Sequence, residues 1–270
     1  MVSLVFMLLL VVALLINGSV WSISWVAISC LLSWVVSTCA FLFHMLTLDG
    51  RRAATVLGTI TLGLGGWVPA FLLVFFFLSS AVMGRVLTGT SSGSGSLDER
   101  RNGHQVWANG IWVACLSILF DYTGNPLFAL FLICALAVVT ADTWASLFGQ
   151  ARSGPAWHLV RFQRVDPGEE GGVSMAGSIA GTFATVLFGI AAMCWIPLST
   201  GPVFWSVVIG GMAGCITDSL LGEWHVAHRD HRKQNNEQRR NGMAVNDWIN
   251  ASSTAIGIGV SMVVWFGGSV

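Results

Sequence analysis

The sequence predicts an all-α protein, a polytopic transmembrane bundle of about 7–9 helices. Three observations predict it. Hydrophobic residues make up 54% of the 270 and charged residues only 10%, where a soluble domain carries about 25% charged residues. Mean hydropathy is +0.73. The apolar residues also fall into long runs, most of them near the roughly 20 residues that a spanning helix requires.

The run 2–16 reads as a first span. No basic segment precedes it, and Asn17-Gly18 lacks the small-residue pattern of a signal-peptide cleavage site. The runs 20–43, 105–120, 126–148, 173–197, 202–222 and 247–268 each predict one helix. The run 54–83 is too long for a simple helix and is interrupted by GLGGWVP at 63–69. Glycine and proline there predict two short helices joined by a turn inside the membrane. TSSGSGSLDERR, 90–101, reads as a flexible polar loop, and no strand is expected. The whole chain, 1–270, reads as a single membrane domain.

Loops 84–104, 149–172 and 223–246 hold most of the basic residues. Helix hairpins separate them, so they share one face, which the positive-inside rule assigns to the cytoplasm. Arg51 and Arg52 join that face if 54–83 crosses twice or re-enters. Net charge is zero, so bulk charge implies no polyanion and no nucleic-acid partner. Lys233 is the only lysine. The arginine fork suits phosphate and carboxylate, although a GC-rich genome also favours arginine. All six cysteines sit in apolar runs without a CxxC pair, which indicates burial rather than disulfides or zinc. His225, His228 and His231, with Asp230 beside them, fit a transition-metal site or a solvated basic loop. His44, His104 and His158 read as interfacial, and Asp121 as a turn residue on the opposite face.

Polar residues gather at the cytoplasmic ends of the spans. Asn109 lies early in its helix. Asp142 and Ser146 are four apart, on one face near the end of another. Asp218 lies in the last turns of a third, with Glu223 just beyond, and Asn246, Asp247 and Asn250 open the last. Ionisable residues within a membrane normally face a bundle interior or an aqueous cavity. Capping explains Asn246 and Asp247, but it explains Asp142 and Asp218 badly, because a carboxylate opposes the dipole at a helix C-terminus. Several carboxylates at one depth need protons or a cation between them. Mg²⁺ characteristically joins one or two carboxylates to substrate phosphates.

VDPGEEGGVSMAGSIAG, 165–181, is a glycine-rich loop running into a membrane helix. Gly168, Gly171 and Gly172 allow close backbone approach, and Ser174 and the helix start supply donors, a pattern that binds anions. Glu169 and Glu170 oppose a phosphate there unless they bind metal. Arg152, Arg161 and Arg164 clamp phosphate or simply follow the positive-inside rule.

ADTWAS, PGEEGGVS with GSIAG, TDSLLGE and NGMAVNDWIN follow one another in the order of the phytyl-phosphate kinase family, which this chain resembles from about residue 50 onward. RNGHQVWANG and FFFLSSAVMGR are similar to further segments of that family. A looser likeness extends to CTP-dependent phytol and dolichol kinases. Two departures stand out: Leu147 replaces the family's glutamate, and Glu169-Glu170 replace its Thr-Asn.

The resemblance implies a kinase that converts an isoprenoid monophosphate, phytyl or geranylgeranyl phosphate, to the diphosphate. The donor would be CTP or another NTP, with Mg²⁺. On that reading Asp142, Asp218 and Asp247 are catalytic and hold metal. Ser146, Gly171, Gly172 and Ser174 bind nucleotide phosphates, and Asn109, Asn246 and Asn250 orient phosphates or water. Arg101, Arg161 and Arg164 neutralise charge. Rival readings are a CTP-dependent lipid-alcohol kinase, a cytidylyltransferase, and an ion-coupled transporter built on the same aspartates.

Overall fold

A computed structural model describes residues 2, 3, 5, 7, 20–88, 100–151, 154–228 and 236–268. The first predicted span, the loop 90–99, Arg152, Asp230, His231 and Lys233 lie outside or largely outside these residues. The described elements are α1 (Val20–Leu42), α2 (Leu48–Gly63), α3 (Trp67–Thr88), α4 (Gly103–Thr123), α5 (Pro126–Ala151), β1 (Ala156–His158), β2 (Arg164–Val165), β3 (Gly172–Ser174), α6 (Met175–Trp195), α7 (Thr200–His228) and α8 (Asn236–Gly267). Seven of these helices, all but α2, are long and apolar enough to cross a membrane. The all-α, polytopic expectation therefore holds.

Local chemistry sets the helix ends. Thr47 caps α2, its Oγ1 accepting from Gly50 N at 3.2 Å. Asn102 caps α4 in a reciprocal capping box with Gln105. Gly124 ends α4 at φ +62, the left-handed conformation glycine takes at such a terminus. Asp121 therefore belongs to the last turn of α4, and Gly124 makes the turn assigned to it. The break in 54–83 falls at 64–66 as expected, but only α2 is short; α3 runs for 22 residues.

Three expectations change. The chain does contain strands: β1 pairs antiparallel with both β2 and β3, in the order β2-β1-β3. At two or three residues each, they are too short to show a period-two pattern. Much of 223–246 is helix, because α7 continues to His228 and α8 starts at Asn236. Hydropathy marks where a helix enters the membrane, not where it begins, and Glu, Gln and Arg in 236–240 are good helix formers. The cysteines are free as expected, but Cys30, Cys39 and Cys194 are exposed on helix faces rather than buried.

The chain divides into two compact units. The first comprises residues up to Ala81 and Thr90–Leu132. In it α2 packs on α1 and α4. Gly110 of α4 admits Leu57 of α2 where any Cβ would collide with the leucine side chain.

The second unit comprises Val82–Gly89 and Ile133–Val270. Here α7 packs on α6 and α8, and residues 133–141 of α5 are buried. Small residues set the spacing, as they do where membrane helices cross closely. A Cβ on Gly177 of α6 would lie 2.6 Å from Ala145 O of α5. One on Gly210 of α7 would lie 2.7 Å from Gly257 O of α8, and one on Gly214 2.5 Å from Val138 of α5.

Candidate functional site

The close crossings of α5, α6, α7 and α8 bring together residues far apart in sequence. Asp142 of α5 and Asp218 of α7 line one cavity of about 230 Å³ in the second unit. Their carboxyl groups lie within hydrogen-bonding reach of each other. Two carboxylates in such contact are stable only with a proton or a cation between them. Ser253 of α8 supports the pair: its Oγ lies 3.1 Å from Asp218 Oδ1 and 3.1 Å from Asn250 O.

One wall of the cavity is the loop before α6. Gly168, Glu169, Glu170, Gly171, Gly172 and Ser174 all line it, as do Ser146 and Asn246. Gly168 and Gly171 adopt φ of +90 and +78, so both require glycine-like freedom. Gly171 also presses on α7 so closely that any Cβ would collide with the Glu223 backbone nitrogen. Ser174 caps α6, accepting from Gly177 N at 3.1 Å, so its hydroxyl serves the helix start first.

Glu223, 2% exposed, fastens this loop from the other side. Its carboxylate accepts Val160 N at 2.9 Å, Arg161 N at 2.8 Å and Arg161 Nε at 3.3 Å. Arg161 also reaches His158 Nδ1 at 2.9 Å, and His158 Nε2 lies 3.2 Å from Glu170 O. With Nδ1 accepting, Nε2 carries the proton and donates to that carbonyl. A network of Glu223, Arg161 and His158 thus fixes the backbone of a cavity-lining residue.

Several expectations are corrected. Arg161 is held by Glu223 and His158 and does not line the cavity. Arg164 is exposed on β2, paired to β1. Asp247 is not in the cavity lining, since it stands one residue, or about 100°, around the helix from Asn246. Asn246 and Asp247 do not open a helix but lie within α8. Asn250 contributes its carbonyl to Ser253 and Thr254. Asn109 and Arg101 line a cavity of the first unit. His158 is buried at 2% exposure rather than interfacial. Leu147 is absent from the lining and lies beside Gly84 of α3, whereas Glu169 and Glu170 face the cavity.

Ser253, Cys215 and Ser219 were not anticipated. A signal for Ser253 exists: Asn246, Asn250 and Ser253 are spaced i, i+4, i+7 and form one stripe of α8. Four carboxylates and no Arg, Lys or His line the cavity among the described residues. No group of three His, Cys, Asp or Glu side chains among the described residues is arranged to hold a metal alone.

A family model described as integral membrane protein DUF92 matches residues 7–261. The chain belongs to this family. Among its relatives are an uncharacterized membrane protein of Methanocaldococcus jannaschii, 23% identical over 80% of this chain and 84% of the relative, and one of Synechocystis, 26% identical over 66% and 71%. No solved structure matches the chain. Membership fixes the protein as an integral membrane protein and extends to archaeal and cyanobacterial relatives.

Proposed function

We propose that the cavity of the second unit is a phosphotransfer site, at the cytoplasmic face of a prokaryotic cell membrane, for an isoprenoid monophosphate. The products are the diphosphate and a nucleoside diphosphate, with CTP as the favoured donor. The observation that carries this reading is the contact between Asp142 and Asp218 in a cavity edged by the Gly168–Gly172 loop.

The donor set fits Mg²⁺. Asp142, Asp218, Glu169 and Glu170 offer hard oxygens, and Ser146, Ser219 and Asn246 stand in the same wall. Two carboxylates would hold the ion, leaving its remaining positions to phosphate and water. Bound there, Mg²⁺ would neutralise phosphate charge. The chain's own part is positioning. Ser253 orients Asp218, and Glu223 and His158 hold the loop in place. Gly171 and Gly172 let the loop pack against α7 and the β-strands where a Cβ would collide, which keeps the cavity-lining backbone in place. An acceptor phosphate is already anionic, so no strong general base is needed. Charge compensation falls to the cation, because no arginine among the described residues lines the cavity.

That same all-acidic lining favours one rival, an ion-coupled transporter with Asp142 and Asp218 as its cation site. A single experiment separates the two. Purified protein in detergent is incubated with geranylgeranyl or phytyl phosphate, Mg²⁺ and each NTP in turn. The expected result is a prenyl diphosphate, lost at least 100-fold in Asp142→Asn and Asp218→Asn. No product with any donor, together with cation-dependent uptake in vesicles that Asp142→Asn abolishes, would overturn the kinase reading. A prenyl alcohol converted to its monophosphate, or a CDP-linked lipid, would redirect it to the lipid-alcohol kinase or cytidylyltransferase.

A further inference from the structure

The larger cavity, about 410 Å³, belongs to the first unit and lies within the ~300–1,000 Å³ range of ligand pockets. Its walls are mostly apolar side chains of α1, α2, α3 and α4, and among the described residues Arg101 is the one charged residue in its lining. The lining extends from Leu32 to Ala40 on α1, Ala54 to Leu62 on α2 and Ala70 to Leu78 on α3. Each stretch rises roughly 12 Å at ~1.5 Å per residue. That is most of one leaflet, about half of a ~30 Å hydrocarbon core.

The loop end of this cavity is cationic and structured. Arg101 N donates to Met45 O at 3.1 Å, and Thr47 N donates to Arg101 O at 3.1 Å. The Arg101 guanidinium lies 5.0 Å and 5.8 Å from the ring centroids of Phe76 and Phe77, which also line the cavity. Arg100 Nη2 is 2.6 Å from His44 Nδ1, Arg51 lies 5.4 Å over Phe41, and Arg52 is exposed in the same turn of α2. Asp49 is the acidic residue among the described residues of these segments, and its carboxylate is bound by Thr47 Oγ1 at 2.6 Å and Gly103 N at 2.8 Å. An apolar slot most of one leaflet deep thus ends at Arg101, with Arg51, Arg52 and Arg100 on the adjoining segments outside its lining.

We propose that this cavity is a lipid site that seats one hydrocarbon chain of an anionic membrane phospholipid, with its phosphate on Arg101 and the neighbouring arginines. Basic pockets between membrane helices recognise anionic headgroups in this way. Arginine suits a phosphate bidentately, and packing on aromatic faces keeps Arg101 in place. A prenyl phosphate shares the head-and-chain chemistry. Among the described residues the cavity nevertheless has no carboxylate in its lining to process a headgroup, and its depth matches a lipid already resident in the adjoining leaflet. The proposal rests on the first unit alone and is independent of the reading of the second.

The test is native mass spectrometry of the full chain released from nanodiscs of equal phosphatidylglycerol and phosphatidylcholine. One retained phosphatidylglycerol is expected, at least tenfold in excess over phosphatidylcholine. Arg101→Gln should reduce that excess to less than twofold. Ala54→Phe, which fills the slot and keeps every arginine, should abolish retention. Equal retention of the two lipids by the wild type, or wild-type retention by a folded Ala54→Phe, would overturn the proposal. Displacement of the lipid by equimolar geranylgeranyl phosphate would also overturn it, by making the slot a substrate site.

Discussion

Glu223→Ala removes the carboxylate that fastens the 156–174 loop to α7. The wild-type group accepts two backbone N–H bonds, 2.9 Å from Val160 and 2.8 Å from Arg161, and a longer 3.3 Å bond from Arg161 Nε. Hydrogen bonds to a charged group contribute about 1.5–3 kcal/mol each. Val160 and Arg161 are exposed, so water replaces much of what their amides lose. That places the net loss at the low end, about 3 kcal/mol for the two backbone bonds. At 1.4 kcal/mol per factor of ten, local opening of the loop should rise about 100-fold. Glu223→Gln keeps one accepting oxygen and should raise opening about tenfold. The measurement is hydrogen exchange followed by mass spectrometry on peptides covering 156–174. Exchange in Glu223→Ala within threefold of wild type would refute the claim that this carboxylate holds the cavity wall.

Two further outcomes are expected. Gly177→Val places a branched side chain where even a Cβ lies 2.6 Å from Ala145 O. It should separate α5 from α6 at a cost of about 1–3 kcal/mol, read as a lowered unfolding midpoint in detergent. Asp49→Ala should destabilise the α2 and α4 starts by about 1 kcal/mol. Burial raises the Asp49 carboxyl, but hydrogen bonds from Thr47, then Gly103, outweigh it and hold the group below its ordinary value of 3.8. Its contribution is therefore present above the unfolded pKa and is lost as pH falls through the lower folded value. Acid titration of wild type and Asp49→Ala should converge below that point.

The spans were legible because the bilayer imposes one requirement, about 20 apolar residues with internally satisfied backbone. Asp142 and Asp218 were legible because a carboxylate in an apolar run is costly wherever the helices go. The glycine loop was legible because φ near +80 at Gly171 excludes most other residues. The roles of the arginines were not, since composition counts charges without assigning partners. Arg161 turns to Glu223 and His158, and Arg101 turns to Phe76 and Phe77.

By itself the sequence determined an all-α membrane protein and placed Asp142, Asp218 and the Gly168–Gly172 loop as its costly positions. Those properties depend on local composition and on hydropathy summed along the chain. Tertiary structure alone decided that Asp142 meets Asp218, that Ser253 supports them and that Asp247 stands outside the lining. Such facts depend on how each helix is rotated against its neighbours. Contacts such as Gly177 on Ala145 and Gly214 on Val138 fix that rotation. They are made between residues whose sequence separation gives no sign that they touch.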